Sequence, residues 1–288
     1  MLSENFKDNI CIVEIENSSF CNRRCSYCIN YHVDRITEKN MMPYEIFKKI
    51  VDELNSINYD RLMTFHRYNE PFAFKNDMIL ERISYARRML PDAVLATSSN
   101  GDYLDPQYLS RIQQSGLNEL YLQCHLENYS SYTIDDIKNK ILLINQRIGG
   151  FKGKFVTTES SCVYVTVDSK FDVLTIQAKN FADIGYPRGE IVENVKKEVG
   201  SGPCFQPLTS FTIDYNGCVT MCCNTVSYYN QHSQYVLGNC KEQTIFDIYN
   251  SDRAVSLRGR LLEGIREKVC MHCTNDGRGI AERFIQLP

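Results

Sequence analysis

Thirteen cysteines among 288 residues are the first chemical signal, because they are grouped. Cys21, Cys25 and Cys28 stand in one short run, Cys-Asn-Arg-Arg-Cys-Ser-Tyr-Cys. Three thiolates at this spacing on one loop can wrap a single iron–sulfur cubane and leave its fourth iron open to an exchangeable ligand. That open iron turns an electron carrier into a catalyst. A zinc knuckle is the competing reading, but tetrahedral closure needs a fourth local ligand, and His32 is the only candidate nearby. A second crowd, Cys204, Cys218, Cys222, Cys223, Cys240, Cys270 and Cys273, occupies the last third of the chain. Clustered cysteines in a reducing compartment more often bind metal or do chemistry than form disulfides. Cys11, Cys124 and Cys162 lie in apolar contexts and read as core packing, as do Cys218 and Cys240.

The elements that must position these residues alternate. Residues 10–16 alternate in polarity as a strand, and residues 44–54, behind Pro43, carry helical periodicity. Strands are expected at 61–65, 93–97, 117–123 and 163–167, with helices at 78–90, 105–114 and 134–148 between them. Alternation of this size predicts a parallel sheet with helices outside, a partial (β/α)6 TIM-like barrel with its active site at the carboxyl ends of the strands. Beyond about residue 195 the pattern changes. Residues 211–213 and 218–221, joined through Asn216-Gly217, read as a β-hairpin, and residues 244–250 and 254–263 as helices. This cysteine-rich segment is too small to bury a full core and leans on a metal site. The expected division is residues 1–195 for the barrel and 196–288 for the appended unit.

A net charge of −3, with 43% hydrophobic and 23% charged residues, lacks the basic excess of a nucleic-acid binder. The first ten residues have no basic start or apolar run, and no 18-residue apolar stretch follows. A cytoplasmic protein without a membrane or nucleic-acid partner is expected.

The N-terminal triplet, with an aromatic residue before its last cysteine, resembles the signature of the radical SAM superfamily. In that family S-adenosylmethionine (SAM) chelates the open iron, and electron transfer cleaves it to methionine and a 5′-deoxyadenosyl radical. The resemblance implies that Cys21, Cys25 and Cys28 hold the 4Fe–4S cluster and that Tyr27 lies near the adenine. Tyr68-Asn69-Glu70-Pro71 resembles the turn that binds the SAM amino group, with Asn69 where the family has glycine and the acidic Glu70 kept. Thr97-Ser98-Ser99-Asn100-Gly101 resembles the polar strand end near the SAM carboxylate and ribose, which assigns Ser99 and Asn100 to the cofactor; a plain turn before a helix is the alternative. Cys204, then Gly217 and Cys222, then Cys270-Met-His-Cys273 resemble the first part of the SPASM pattern. No cysteine follows Cys273, which implies a single, fully ligated auxiliary 4Fe–4S cluster on Cys204, Cys222, Cys270 and Cys273, the shortened twitch form. A four-cysteine zinc site shares this spacing.

The resemblance sharpens toward alcohol-dehydrogenating members of the superfamily over residues 13–16, 65–71, 99–104, 188–191 and 237–239. There an arginine resembling Arg188 and a tyrosine resembling Tyr68 face the substrate. The residue two after the second auxiliary ligand is acidic in those members and is Asn224 here. The expected reaction is therefore dehydrogenation of an alcohol carbon in a small polar substrate such as an aminocyclitol or sugar, with a flavodoxin- or ferredoxin-type electron donor. Arg188 or a nearby carboxylate would help remove the proton. The second reading is a radical epimerase or peptide maturase with Cys223 as hydrogen-atom donor; the third is a structural metalloprotein without catalysis.

Overall fold

The computed structural model describes residues 2–37 and 39–285. A helix, α1 (Leu2–Asn9), leads into β1 (Ile12–Ile15). There follow α2 (Tyr44–Ser56), β2 (Leu62–Thr64), α3 (Asp77–Met89), β3 (Val94–Ser99), α4 (Pro106–Gln114), β4 (Glu119–Gln123) and α5 (Ile134–Ile148). A ribbon of β5 (Gly153–Thr158) and β6 (Ser161–Thr166) precedes β7 (Val173–Lys179). Two single-turn helices, α6 (Phe181–Ile184) and α7 (Gln206–Thr209), lead to β8 (Ser210–Ile213), β9 (Cys218–Thr220) and β10 (Val236–Asn239). The chain closes with α8 (Ile245–Tyr249), α9 (Asp252–Leu262) and α10 (Arg278–Ala281).

Local chemistry sets the helix starts. Asp105 accepts from Tyr108 N at 2.8 Å with Pro106 behind it, which opens α4. Thr133 and Asp136 form a reciprocal capping box on α5, and Gly149 closes that helix at φ 135°. Where α4 ends, Arg87 of α3 lies so close to Gly116, at φ 97°, that a Cβ there would fall 2.6 Å from the arginine chain.

The strands share one sheet in the order β10-β9-β8-β1-β2-β3-β4-β7-β6-β5. Its centre, β8-β1-β2-β3-β4-β7, is parallel throughout, a six-stranded partial barrel, and both edges are antiparallel. Two features depart from expectation. Residues 163–167 fall largely in β6, which runs antiparallel to β7; the fifth parallel strand in chain order is β7, which carries Thr175 and Gln177 among apolar residues. The C-terminal hairpin also does not stand apart, because β8 pairs in parallel with β1 from Ile12↔Ser210 to Ile15↔Ile213. Helix α1 supports that junction: Phe6 is fully buried, with its ring 5.2 Å from Phe211, 5.5 Å from Phe246 and 5.3 Å from Tyr249. One hydrophobic core runs from Phe6 through Leu95, Leu120 and Ile176 to Ile248. Among the described residues no helix is long and apolar enough to cross a membrane.

Candidate active site

The carboxyl ends of the parallel strands converge on one cavity of about 280 Å³. After β1 the chain supplies Cys21, Cys25, Tyr27 and Cys28; after β2, His66, Arg67, Tyr68, Asn69 and Glu70. The end of β3 adds Ser98, Ser99 and Asn100, and β4 adds Gln123 and His125. Beyond β7 come Phe181 and Arg188, and beyond β9 comes Cys223. The cavity thus gathers the three N-terminal cysteines, the five residues assigned to SAM, and Tyr68, Arg188 and Cys223. An arginine that sequence alone could leave on the surface is half-buried here and lines the cavity.

The cysteine loop is fastened to the end of β3. Arg23 makes a two-pronged contact to Asp102, Nε–Oδ2 2.7 Å and Nη2–Oδ1 2.5 Å. Asn22 donates to the same carboxylate at 2.8 Å and accepts from Asn100 Nδ2 at 2.8 Å. Tyr27 stacks on Phe181, 4.5 Å between centroids, and its hydroxyl meets His125 Nδ1 at 2.5 Å. This makes a flat apolar wall suited to a purine.

Glu70 is the buried anion of the site. One oxygen accepts from Ser99 Oγ at 2.7 Å and Phe72 N at 3.1 Å, the other from Asn100 N at 2.7 Å. Burial nevertheless dominates and raises its pKa to about 7. A cationic ammonium group is the natural partner for such a carboxylate. Asn69 Nδ2, Asn30 Oδ1, Gln123 Oε1 and Arg67 Nε and Nη1 are buried around the same cavity without protein partners. Buried polar atoms of this kind require complementary groups, and a polar cofactor with amino, carboxylate and ribose groups supplies them. The residues fit S-adenosylmethionine.

At the other side of the cavity Tyr68 donates to Cys223 O at 2.7 Å, and the Arg188 guanidinium lies 5.6 Å from the centre of the Tyr68 ring. Glu14, inside β1, faces the same space. Thr212 Oγ1 donates to it at 3.0 Å, and burial raises its pKa despite Arg67 and Arg188 nearby. Glu14 was readable: a carboxylate in a strand that a parallel sheet buries on both faces needs a reason. His66 and His125 gave no such signal. Burial lowers the pKa of each to about 4, so both are neutral. His66 Nδ1 accepts from Ser98 N at 3.0 Å, leaving Nε2 as the protonated nitrogen.

The second cysteine group lines a separate, smaller cavity. Cys204, Cys222, Cys270 and Cys273 are all buried around it with Asn224, Leu261 and Val269. Close backbone passage builds it: Cys204 N donates to Leu261 O at 2.9 Å and Gly200 N to Met271 O at 2.9 Å. Burial pushes the Cys270 thiol up to about 12, so ionising it needs a strong local positive charge of the kind that a bound metal would supply. Four buried thiols around one small space, beside the neutral side chains of Gln206, Asn224 and Asn275, suit a cluster. Adjacent residues divide the two sites, Cys222 facing the four-cysteine space and Cys223 the larger cavity. Cys218, held by Asn239 Nδ2 at 3.4 Å, and buried Cys240 line neither cavity.

Fold and site together define a radical SAM enzyme. Residues 15–148 match the radical SAM superfamily and residues 204–274 the SPASM iron–sulfur cluster-binding domain. The chain carries a radical SAM domain and a SPASM domain; it is a radical SAM oxidoreductase whose cofactors are SAM and iron–sulfur clusters. It is 26% identical, over 92% of each chain, to the S-adenosyl-L-methionine-dependent 2-deoxy-scyllo-inosamine dehydrogenase of Niallia circulans. The crystal structure of BtrN in complex with AdoMet and 2-DOIA shares its fold, with a TM-score of 0.69 at 23% identity over 92% of this chain and 93% of that one. anSMEcpe with bound AdoMet shares it more distantly, with a TM-score of 0.51 at 10% identity over 94% and 91%.

Proposed function

We propose that this enzyme dehydrogenates an alcohol carbon of a small polar substrate, an aminocyclitol, sugar or similar polyol. The observation that carries the reading is the single cavity in which the Cys21–Cys25–Cys28 loop faces Arg188, Tyr68 and Glu14, one residue away from the second cysteine group. The names of the relatives support it, an aminocyclitol dehydrogenase among them. In this reading Cys21, Cys25 and Cys28 hold the open cluster. Glu70, Asn69, Ser99 and Asn100 hold SAM, with Tyr27 against its adenine. Cys204, Cys222, Cys270 and Cys273 hold the auxiliary cluster. Residues 1–195 form the SAM barrel and 196–288 the auxiliary unit, and a flavodoxin- or ferredoxin-type protein supplies electrons.

When bound, these cofactors would supply a hydrogen-atom abstractor beside Cys21, Cys25 and Cys28 and a one-electron acceptor beside Cys204, Cys222, Cys270 and Cys273. A CH–OH carbon that has lost a hydrogen atom must still lose one proton and one electron to become C=O. The chain's residues manage the proton. Arg188 binds the hydroxyl oxygen and stabilises negative charge on it. Glu14, its basicity raised by burial and one oxygen fixed by Thr212, accepts the hydroxyl proton. Tyr68 is anchored to Cys223 O and walls off water.

Anaerobic reconstitution is expected to give about eight irons per chain. SAM and dithionite then give 5′-deoxyadenosine, and the polyol product is two hydrogens lighter. Absence of 5′-deoxyadenosine sinks the reading. A product of unchanged mass favours the second reading, epimerisation or peptide modification with Cys223 as hydrogen donor. That reading draws on the Cys223 thiol in the cavity, which burial keeps protonated by raising its pKa to about 12. Cys223→Ala abolishes turnover under the second reading and leaves it under the first.

A further inference from the structure

We infer that Asn224 is a positioning residue that joins the substrate cavity to the auxiliary cluster, holding Arg188 with its carbonyl and donating from its amide nitrogen to the Cys273 sulfur, and so sets the cluster's reduction potential. The inference rests on the reading of Cys204, Cys222, Cys270 and Cys273 as cluster ligands. Arg188 Nη1 lies 2.6 Å from Asn224 Oδ1. A guanidinium only donates, so it fixes which end of the amide it meets. The NH₂ group is thereby turned to Cys273 Sγ, at 3.5 Å. Asn224 is 3% exposed, so water does not compete for either bond.

The segment that carries Arg188 is fastened to the same cysteine-bearing loops. Arg188, Gly189 and Glu190 are consecutive left-handed residues, with φ of 49°, 65° and 71°. Two non-glycine residues in that region persist only where the surroundings hold them. His232 Nε2 meets Gly189 O at 2.8 Å, and a Cβ on Gly189 would fall 2.5 Å from the His232 ring. His272, between Cys270 and Cys273, contacts Glu190 Oε2 through Nδ1 at 3.1 Å. Asn224, His232 and His272 thus tie the substrate-facing arginine to the second metal site.

A hydrogen bond to a ligand sulfur stabilises the more negative, reduced cluster and raises its potential. The Arg188 charge on the amide carbonyl polarises the N–H and strengthens the bond. Asn224→Asp keeps an acceptor for Arg188 but removes the donor. EPR-monitored redox titration of the reconstituted holoenzyme with SAM is expected to show the auxiliary potential falling by about 59 mV or more, a tenfold shift for one electron. Should that variant lose its clusters, Asn224→Ala, which adds no charge, is expected to fall in the same direction. Arg188→Gln, which touches no sulfur, lowers the potential as well, and combining it with Asn224→Ala costs less than the sum, since both act through one chain of bonds. An unmoved potential in an Asn224 variant with full iron content overturns the inference and leaves the cluster reading standing. A wild-type protein with only about four irons overturns both.

Discussion

Glu70 shows how one residue's surroundings become measurable. Its folded-state pKa of about 7 lies above the ordinary 4.5 because burial outweighs three hydrogen bonds. In the ligand-free protein its contribution to stability is fully present below pH 4.5 and is lost as the pH rises through 7. An ammonium ligand reverses the preference by requiring the carboxylate, so binding SAM releases a proton. The affinity is expected to tighten about tenfold between pH 6 and 8, and Glu70→Gln to flatten that dependence while weakening binding, both by calorimetry. A pH-independent affinity in the wild type would remove Glu70 from the ammonium site. Glu14 makes a different prediction, since its proposed role follows abstraction. Glu14→Gln is expected to slow ketone formation by about 10²–10⁴-fold while 5′-deoxyadenosine still forms, a split that product-to-nucleoside ratios read directly. The cysteine triplet and the Glu70 turn were legible in the sequence because their spacing is local. Glu14, His66, Gln123 and His125 become neighbours only once β1 to β4 lie side by side.

Between elements, position depends on clamps that join loops distant in sequence. The Arg23–Asp102 pair, with side chains about one-third exposed, ties the cysteine loop to the turn after β3. Partial exposure limits its worth to on the order of 1 kcal/mol, too little to affect the fold but enough to loosen the loop that holds three thiols. Asp102→Ala is expected to leave the melting temperature within a few degrees and to hasten iron loss to a chelator from the SAM-site cluster. Equal iron-release rates would show that the clamp does not order the loop. The helices were legible for the same local reason: α5 carries its capping box and apolar stripe in its own residues. What escaped was strand direction. Both β6 and β7 are β-branched and apolar enough to be strands, and nothing in either says which one returns in parallel beside β4. Helix α1 also escaped, because its evidence is the single Phe6 ring that β8, α8 and α1 close over.

At the scale of the whole molecule, a division at residue 195 separates the two cysteine groups but cuts one sheet. Strand β8 lies beyond the cut, yet it is the parallel partner of β1, the strand from which the first cysteine loop departs. Removing residues 196–288 bares that edge and strips Phe6 of Phe211, Phe246 and Tyr249. Phe6 burial alone is worth about 1.5–3 kcal/mol, each ring pair adds about 0.5–1.5 kcal/mol, and the backbone donors of β1 lose their acceptors on that side. These losses are comparable to the roughly 5–15 kcal/mol that hold a domain folded. Residues 1–195 expressed alone are therefore expected to lack a cooperative thermal transition, to bind hydrophobic dyes and to retain no SAM-site cluster. A cooperative melt with about four irons bound would instead show that the barrel folds without its C-terminal strand. The two metal sites would then be separate modules, and their joining through β1 and β8 would be dispensable for folding.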